Sequence, residues 1–458
     1  MRAGLAAAIL AVLLFAAECA HGPGSRAHPP SIPPERKAQV VPPPPKMETI
    51  PEWGEAGGVS APVPIVRIGI VPDASEVEIG SDGDWRVGIV GSNAETEKVR
   101  AGERWTFRAD GELLRTTDGR GTARGGARDT LYLFPDPDCD MPMPMRVAGK
   151  PYRGEILVFA SGGGKVTAVD VLDLESYVRG VVRAEIGGGG PEKLEAIKAQ
   201  AVAARSYTLA CLARWSGRGF DLLPTVEDQV YEGMEGERPE IDRAVFETCG
   251  VVALSGGRPI EAFYSSTCGG TMAAPEEVWD RPARPYLRIH ADRPSEGEES
   301  FCAASSYHRW KVRWDGSSLE KILKSTLPKV TGAKNPSGWG RLSDLSVVSR
   351  SGSGRVEEMK IVFDHKTFRI GGDKVRWILK RPNGGGGLWS ARILDMSVSR
   401  RRGRVRSVAI EGAGYGHGVG LCQMGAIGMS KAGYTFDQIV RFYYPGIDLV
   451  RAYGVPES

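Results

Sequence analysis

From Val66 onward, short apolar runs alternate with Gly, Asp and Ser: VRIGIV, EVEIG, WRVGIV and WTFRA, then TLYLFP, GEILVFA and KVTAVDVL. Short β-branched and aromatic runs between turn formers predict strands, so residues 66–172 read as a β-rich N-terminal module. The period then changes. In LDLESYVRGVVRAEI, Leu174, Tyr177, Val178, Val181 and Val182 recur at helical spacing and share one face. The glycine run 187–190 ends that helix. Pro191 and Glu192 suit the first turn of the next one, whose apolar stripe passes through Leu194, Ile197 and Ala201. Further on, WKVRW, LSDLSVVSR, GRVEEMKIVF, KTFRI and RVRSVAIEG predict strands and SLEKILKSTL a short helix. MGAIGMSKAGY and TFDQIVRFYYPG predict two more helices. The expected fold class is α+β, with the β-rich module leading into a mixed α/β core over 173–453.

The first residues carry a different pattern. Arg2 precedes an apolar stretch from Leu5 to Ala17 that is too short for a mature membrane span. Residues 1–20 therefore predict an export signal. Cys19 allows a lipid anchor, whereas cleavage nearby would leave none; Glu18 and the lack of a clean small-x-small site suit neither route fully. Residues 21–65 are rich in Pro and poor in aromatics, a composition that cannot bury a core and predicts an extended linker. The expected location is the periplasm or cell envelope.

Composition narrows the function. The 458 residues carry 59 basic and 56 acidic side chains, a net charge of +3, and no basic block longer than Arg400-Arg401-Arg402. That balance gives no electrostatic footprint for nucleic acid. The segment GAGYGHGVGLCQMG places His417 among glycines and ahead of Cys422 and Gln423. A phosphate loop would need a lysine and a hydroxyl after its glycines. Zinc needs three or four ligands at recognisable spacings. The spacing offers only His417 and Cys422, so no metal or other cofactor is expected. Export permits disulfides, and Cys268 with Cys302 is the expected pair, because both lie in polar, loop-like contexts.

The blocks LDLESYVRGVVRAEI with LEAIKAQAVAARSY, EAFYSSTCGGTM, and GYGHGVGLCQMGAIGM followed by YYPG resemble, in that order, the stage II sporulation protein D family (SpoIID/LytB, the amidase enhancers). The resemblance implies an envelope protein that acts on peptidoglycan glycan strands. Its reaction would be lytic transglycosylation between N-acetylmuramic acid and N-acetylglucosamine, with closure of a 1,6-anhydro ring. The alternative it implies is a non-catalytic enhancer of a cell-wall amidase. Glu185 matches the catalytic glutamate. A helix C-terminus disfavours an anion there, while the N-terminus of the next helix opposes that effect. Some members carry a metal site near the segment that reads QVYEG here, but this chain lacks Cys and His around it.

The resemblance also implies a glycan-binding groove in which Glu185 meets the glycine-histidine loop. His417, Gln423, Gly416 and Gly418 would line it, with glycines admitting a sugar chain close to the backbone. Tyr264, Ser266 and Thr267 could bond sugar hydroxyls or form an ordinary hydroxyl-rich turn. Arg205 and Gln200 could position substrate or form a buried pair, and Tyr231 could stack on a sugar or pack in the core.

Overall fold

The structure is a computed structural model that describes residues 62–454, apart from 93–94, 125–129, 280 and 383. The expected signal segment and most of the Pro-rich linker lie outside the described residues. The protein is α+β, and it divides into two compact units. One comprises residues 62–262 with 448–454; the other comprises 263–447.

In the first unit the alternating runs form two antiparallel sheets. One has six strands in the order Ile65–Ala74, Lys165–Asp173, Glu155–Gly162, Thr130–Pro135, Trp85–Ile89 and Glu97–Val99. The other has five, centred on Arg104–Asp110 and Glu76–Ser81. Inward positions such as Val87, Leu133 and Val158 are buried, and the Trp85 and Trp105 rings meet edge to face at 5.3 Å. Strand Lys165–Asp173 runs straight into helix α1, Leu174–Glu185, because Asp173 caps it by accepting from Ser176 N at 2.9 Å. The apolar face read from the sequence is buried. Gly187, at φ 69°, takes the left-handed turn that stops the helix.

Helix α2, Leu194–Ala210, packs on α1 and is buried almost all round. Its alanines allow that close approach. Helix α3, Pro239–Glu247, follows. The strand Val251–Ser255 then pairs with Asp448–Arg451, which returns from the far end of the chain.

In the second unit, two three-stranded antiparallel sheets and helix α4, Gly316–Thr331, enclose a core that includes Trp310, Trp314, Leu323, Met359 and Phe363. Asp315 caps α4 through Ser318 N. A short parallel pair, Tyr264–Ser265 with Leu421–Cys422, brings the SSTCGG segment beside the glycine-histidine loop. That loop leads into α5, Gln423–Lys431, and α6, Phe436–Tyr443, the two helices read from the sequence.

Candidate active site and the glycine-histidine loop

Glu185 is the last residue of α1 and is half-buried. Its Oε1 accepts a hydrogen bond from Val230 N at 2.8 Å. The backbone at Val230 is fixed from below by its neighbours. Asp228 accepts from Trp215 Nε1, Leu223 N and Arg214 Nη1 at 2.7–2.9 Å, and Gln229 Nε2 donates to Thr208 Oγ1 on α2 at 2.8 Å. Arg183 and Glu232 pair at 2.5 Å across the same segment. The QVYEG stretch therefore works as a brace that orients the carboxylate. A backbone donor at Val230 carries no side-chain signature, so no sequence pattern marks it.

The other residues singled out in this unit sit deeper. Arg205 and Gln200 are fully buried on α2, and Arg205 pairs with Glu175 rather than reaching Glu185. Tyr231 is buried as well. Its hydroxyl donates to Asp170 Oδ2 at 2.7 Å, and its ring lies 4.9 Å from that of Tyr177. A Cβ on Gly180 would come within 2.4 Å of the Tyr231 ring, so the glycine in α1 makes room for it. Tyr231 presents its face to the core.

In the second unit the glycine-histidine loop is stitched to residues 263–273. Thr267 and Tyr415 exchange backbone hydrogen bonds at 2.7 and 3.0 Å; Gly418 N donates to Ser265 Oγ at 3.1 Å, and Ala273 N to Gly418 O at 2.8 Å. The glycines serve this internal contact. A Cβ at Gly418, where φ is 76°, would lie 1.8 Å from Arg355 Nη2, and one at Gly416 would lie 2.7 Å from Ser265 Cβ. The backbone approach that the glycines permit is thus an approach to protein. Thr267 is buried and bonds Ser305 Oγ at 2.8 Å, whereas Tyr264 and Ser266 remain half-exposed. Gln423 opens α5 and is largely buried.

His417 retains some exposed surface. Its Nδ1 accepts from Val419 N at 3.0 Å, which puts the proton of the neutral ring on Nε2. Crowding by protein, then the charges of Arg376 and Arg355, push its pKa down to about 3, against a hydrogen bond to the Tyr264 backbone. The ring lies 4.7 Å from that of Trp279, and the Arg281 guanidinium sits 5.6 Å over the Trp279 ring and 5.5 Å over the Phe263 ring. Phe263 and Trp279 are half-exposed. An aromatic patch with a cation and a neutral imidazole suits stacking on a sugar face. Sequence reasoning passed over Trp279, which stands in an unremarkable EEVWD stretch.

The expected disulfide partners are brought together: Cys268 Sγ and Cys302 Sγ are 3.6 Å apart and not bonded. Cys422 and Asp292 join them, with their ligand atoms all within 4.8 Å of one another.

Residues 162–254 match the family described as Stage II sporulation protein, and residues 273–420 match a Domain of unknown function (DUF8618). The first match contains Glu185; the second contains His417 and two members of the buried cluster, Asp292 and Cys302. An uncharacterized protein of Brachyspira hyodysenteriae is 27% identical over 304 residues, covering 66% of this chain and 73% of its own. The stage II sporulation protein D of Bacillus subtilis is 28% identical over 306 residues, covering 62% of this chain and 76% of its own. The amidase enhancer of the same organism is 28% identical over 287 residues, which are 56% of this chain but 38% of the enhancer.

Proposed function

We propose that this chain, which carries a stage II sporulation protein domain over residues 162–254, is a lytic transglycosylase of peptidoglycan glycan strands. The supporting observation is Glu185, which lies inside the matched segment as a half-buried carboxyl group held by Val230 N. In the proposed reaction Glu185 protonates the glycosidic oxygen as the bond from C1 of N-acetylmuramic acid breaks. The sugar's own C6 hydroxyl then bonds to C1, and its proton passes to the Glu185 carboxylate. The acid is regenerated and no water is consumed. An internal nucleophile removes the need for the second carboxylate of ordinary glycosidases. Strands stripped of stem peptides are the proposed substrate, since bare sugars can lie against the aromatic patch at Trp279.

Peptidoglycan lies outside the cytoplasm, so the proposal includes export and residence in the cell envelope. Among the described residues no helix is long and apolar enough to cross a membrane. The relative named an amidase enhancer favours a second reading, in which the chain binds strands and stimulates an amidase. Incubation of the purified chain with denuded strands, followed by mass spectrometry of the products, separates the two. Anhydro-muramic ends are expected. Reducing ends would mean hydrolysis, and intact strands would leave the enhancer reading in place.

A further inference from the structure

We propose that Cys268, Asp292, Cys302 and Cys422 form a structural zinc site. All four are fully buried, and their ligand atoms lie within 4.8 Å of one another. The set was not visible in the spacing, because it draws on one segment after a strand, two positions ten residues apart, and the residue that caps α5. The expectation of no metal, made from spacing, is therefore revised.

The distances suit a shared cation better than a covalent bond between two of the sulfurs. Two thiolates each about 2.3 Å from a tetrahedral zinc lie roughly 3.8 Å apart, whereas a disulfide needs about 2.05 Å. Cys268 and Cys302 stand at 3.6 Å. Cys268 Sγ lies 3.1 Å from Asp292 Oδ2, close to the sulfur–oxygen edge of the same tetrahedron. A disulfide would also leave Cys422 and the Asp292 carboxylate together in a dry interior with no metal ion between them.

The surroundings are those of bound thiolates. Cys422 Sγ accepts from Cys268 N at 3.2 Å and Gly425 N at 3.3 Å, and Cys268 Sγ accepts from Gly270 N at 3.3 Å. Gly425 N belongs to the first turn of α5, where a negative sulfur is favoured. Asp292 offers Oδ2 to the cluster while its Oδ1 accepts from Tyr443 OH at 2.7 Å, the outer hydrogen bond that orients a ligating carboxylate. Zinc with three thiolates and one carboxylate carries a net charge of −2. One buried and one half-buried guanidinium lie against the same backbone: Arg355 donates to Cys268 O and Thr271 O, and Arg392 to Gly269 O and Thr271 Oγ1. Among the described residues neither forms an ion pair with a carboxylate, so both are available to balance the site.

Four protein ligands fill a tetrahedral ion, which makes the site structural rather than catalytic. It would tie the SSTCGG segment, the 292–302 loop and the start of α5 into one node. The glycine-histidine loop, running from the bridge at Tyr415 to Cys422, is anchored there.

The test is elemental analysis of the whole chain, purified without chelator, with thiol alkylation before and after zinc is ejected. About one zinc per chain is expected, with three thiols protected until it leaves. Exchange for cobalt(II) should give the thiolate-to-cobalt absorption of a tetrahedral site. Cys422→Ser should abolish that spectrum. Should that variant fail to fold, Asp292→Asn is the gentler probe, expected to keep the fold and to bind cobalt at least tenfold more weakly. A chain without zinc overturns the proposal, whether its mass reveals a Cys268–Cys302 disulfide or its three thiols alkylate freely. None of these readouts depends on strand cleavage, so failure here and failure of the transglycosylase reading are told apart.

Discussion

Arg205 grips Glu175 through two parallel hydrogen bonds, Nε to Oε1 at 2.8 Å and Nη2 to Oε2 at 2.7 Å, with both side chains out of reach of water. Tyr453 OH and Gly250 N also donate to Oε1, so the pair joins α1, α2 and the segment that follows the returning C-terminal strand. Removing one member strands the other as a buried charge. Arg205→Leu should therefore lose about 3–5 kcal/mol of unfolding free energy by urea titration near neutral pH. Burial pushes the Glu175 carboxyl up, but Arg205, Tyr453 and Gly250 outweigh it, and the net shift is downward. A depressed carboxylate contributes stability above its unfolded pKa and loses it as pH falls through the folded value. The gap between wild type and Glu175→Gln should thus be widest at neutral pH and shrink in acid.

Asp170 carries the opposite sign. Burial drives its pKa up to about 7, against hydrogen bonds from Tyr231 OH and Gly154 N. A raised folded pKa gives stability that is fully present below the unfolded value and lost as pH rises through about 7. Wild type should lose stability between about pH 5 and pH 8 relative to Asp170→Asn, which keeps the polar contacts without the ionisation. Urea midpoints at the two pH values check this; parallel profiles would show that Asp170 does not titrate there.

Glu185→Gln preserves the volume and an acceptor for Val230 N but supplies no acid. Release of anhydro products should fall by roughly 10²–10⁴-fold, the range for general acid–base catalysis. Strand affinity should change little. Near-normal release by this variant would remove Glu185 from the reaction and move the enhancer reading to first place.

Much of the fold was legible in the sequence because local signals agreed. Alternation marked the strands, the glycine run after Glu185 marked the end of α1, and Pro191 marked the next start. The strand Ile393–Arg401 escaped notice because most of its side chains are exposed and its apolar alternation is faint. The candidate site was legible only where chemistry sits on a side chain with a local context, as at Glu185 and His417. Val230 acts through its backbone, and Asp292 joins the thiols through tertiary folding. Their roles are set by approach in space, which periodicity does not record. The glycines around His417 were visible as glycines, yet the space they clear is taken by Arg355 and Ser265.

His417 is held neutral, and this limits what it can do. With its pKa pushed down to about 3 by crowding, Arg376 and Arg355, the ring carries no charge near neutral pH. The folded state resists a proton that the unfolded chain accepts near 6.5, so this residue costs stability as pH falls from about 6.5 toward 3 and costs none above that window. Its ring resonances should stay flat in an NMR titration from about pH 8 to pH 4.5, and no inflection near 6.5 in turnover should disappear in His417→Ala. What the ring supplies is surface, alongside Trp279 at 4.7 Å. Trp279→Ala should weaken strand binding by about 0.5–2 kcal/mol, on the scale of a lost aromatic stacking face. His417→Ala should weaken it less and leave measurable anhydro-product release. Should His417→Ala instead abolish release while binding holds, the imidazole would belong among the groups that act on the glycosidic bond, and its role as a neutral wall would be lost.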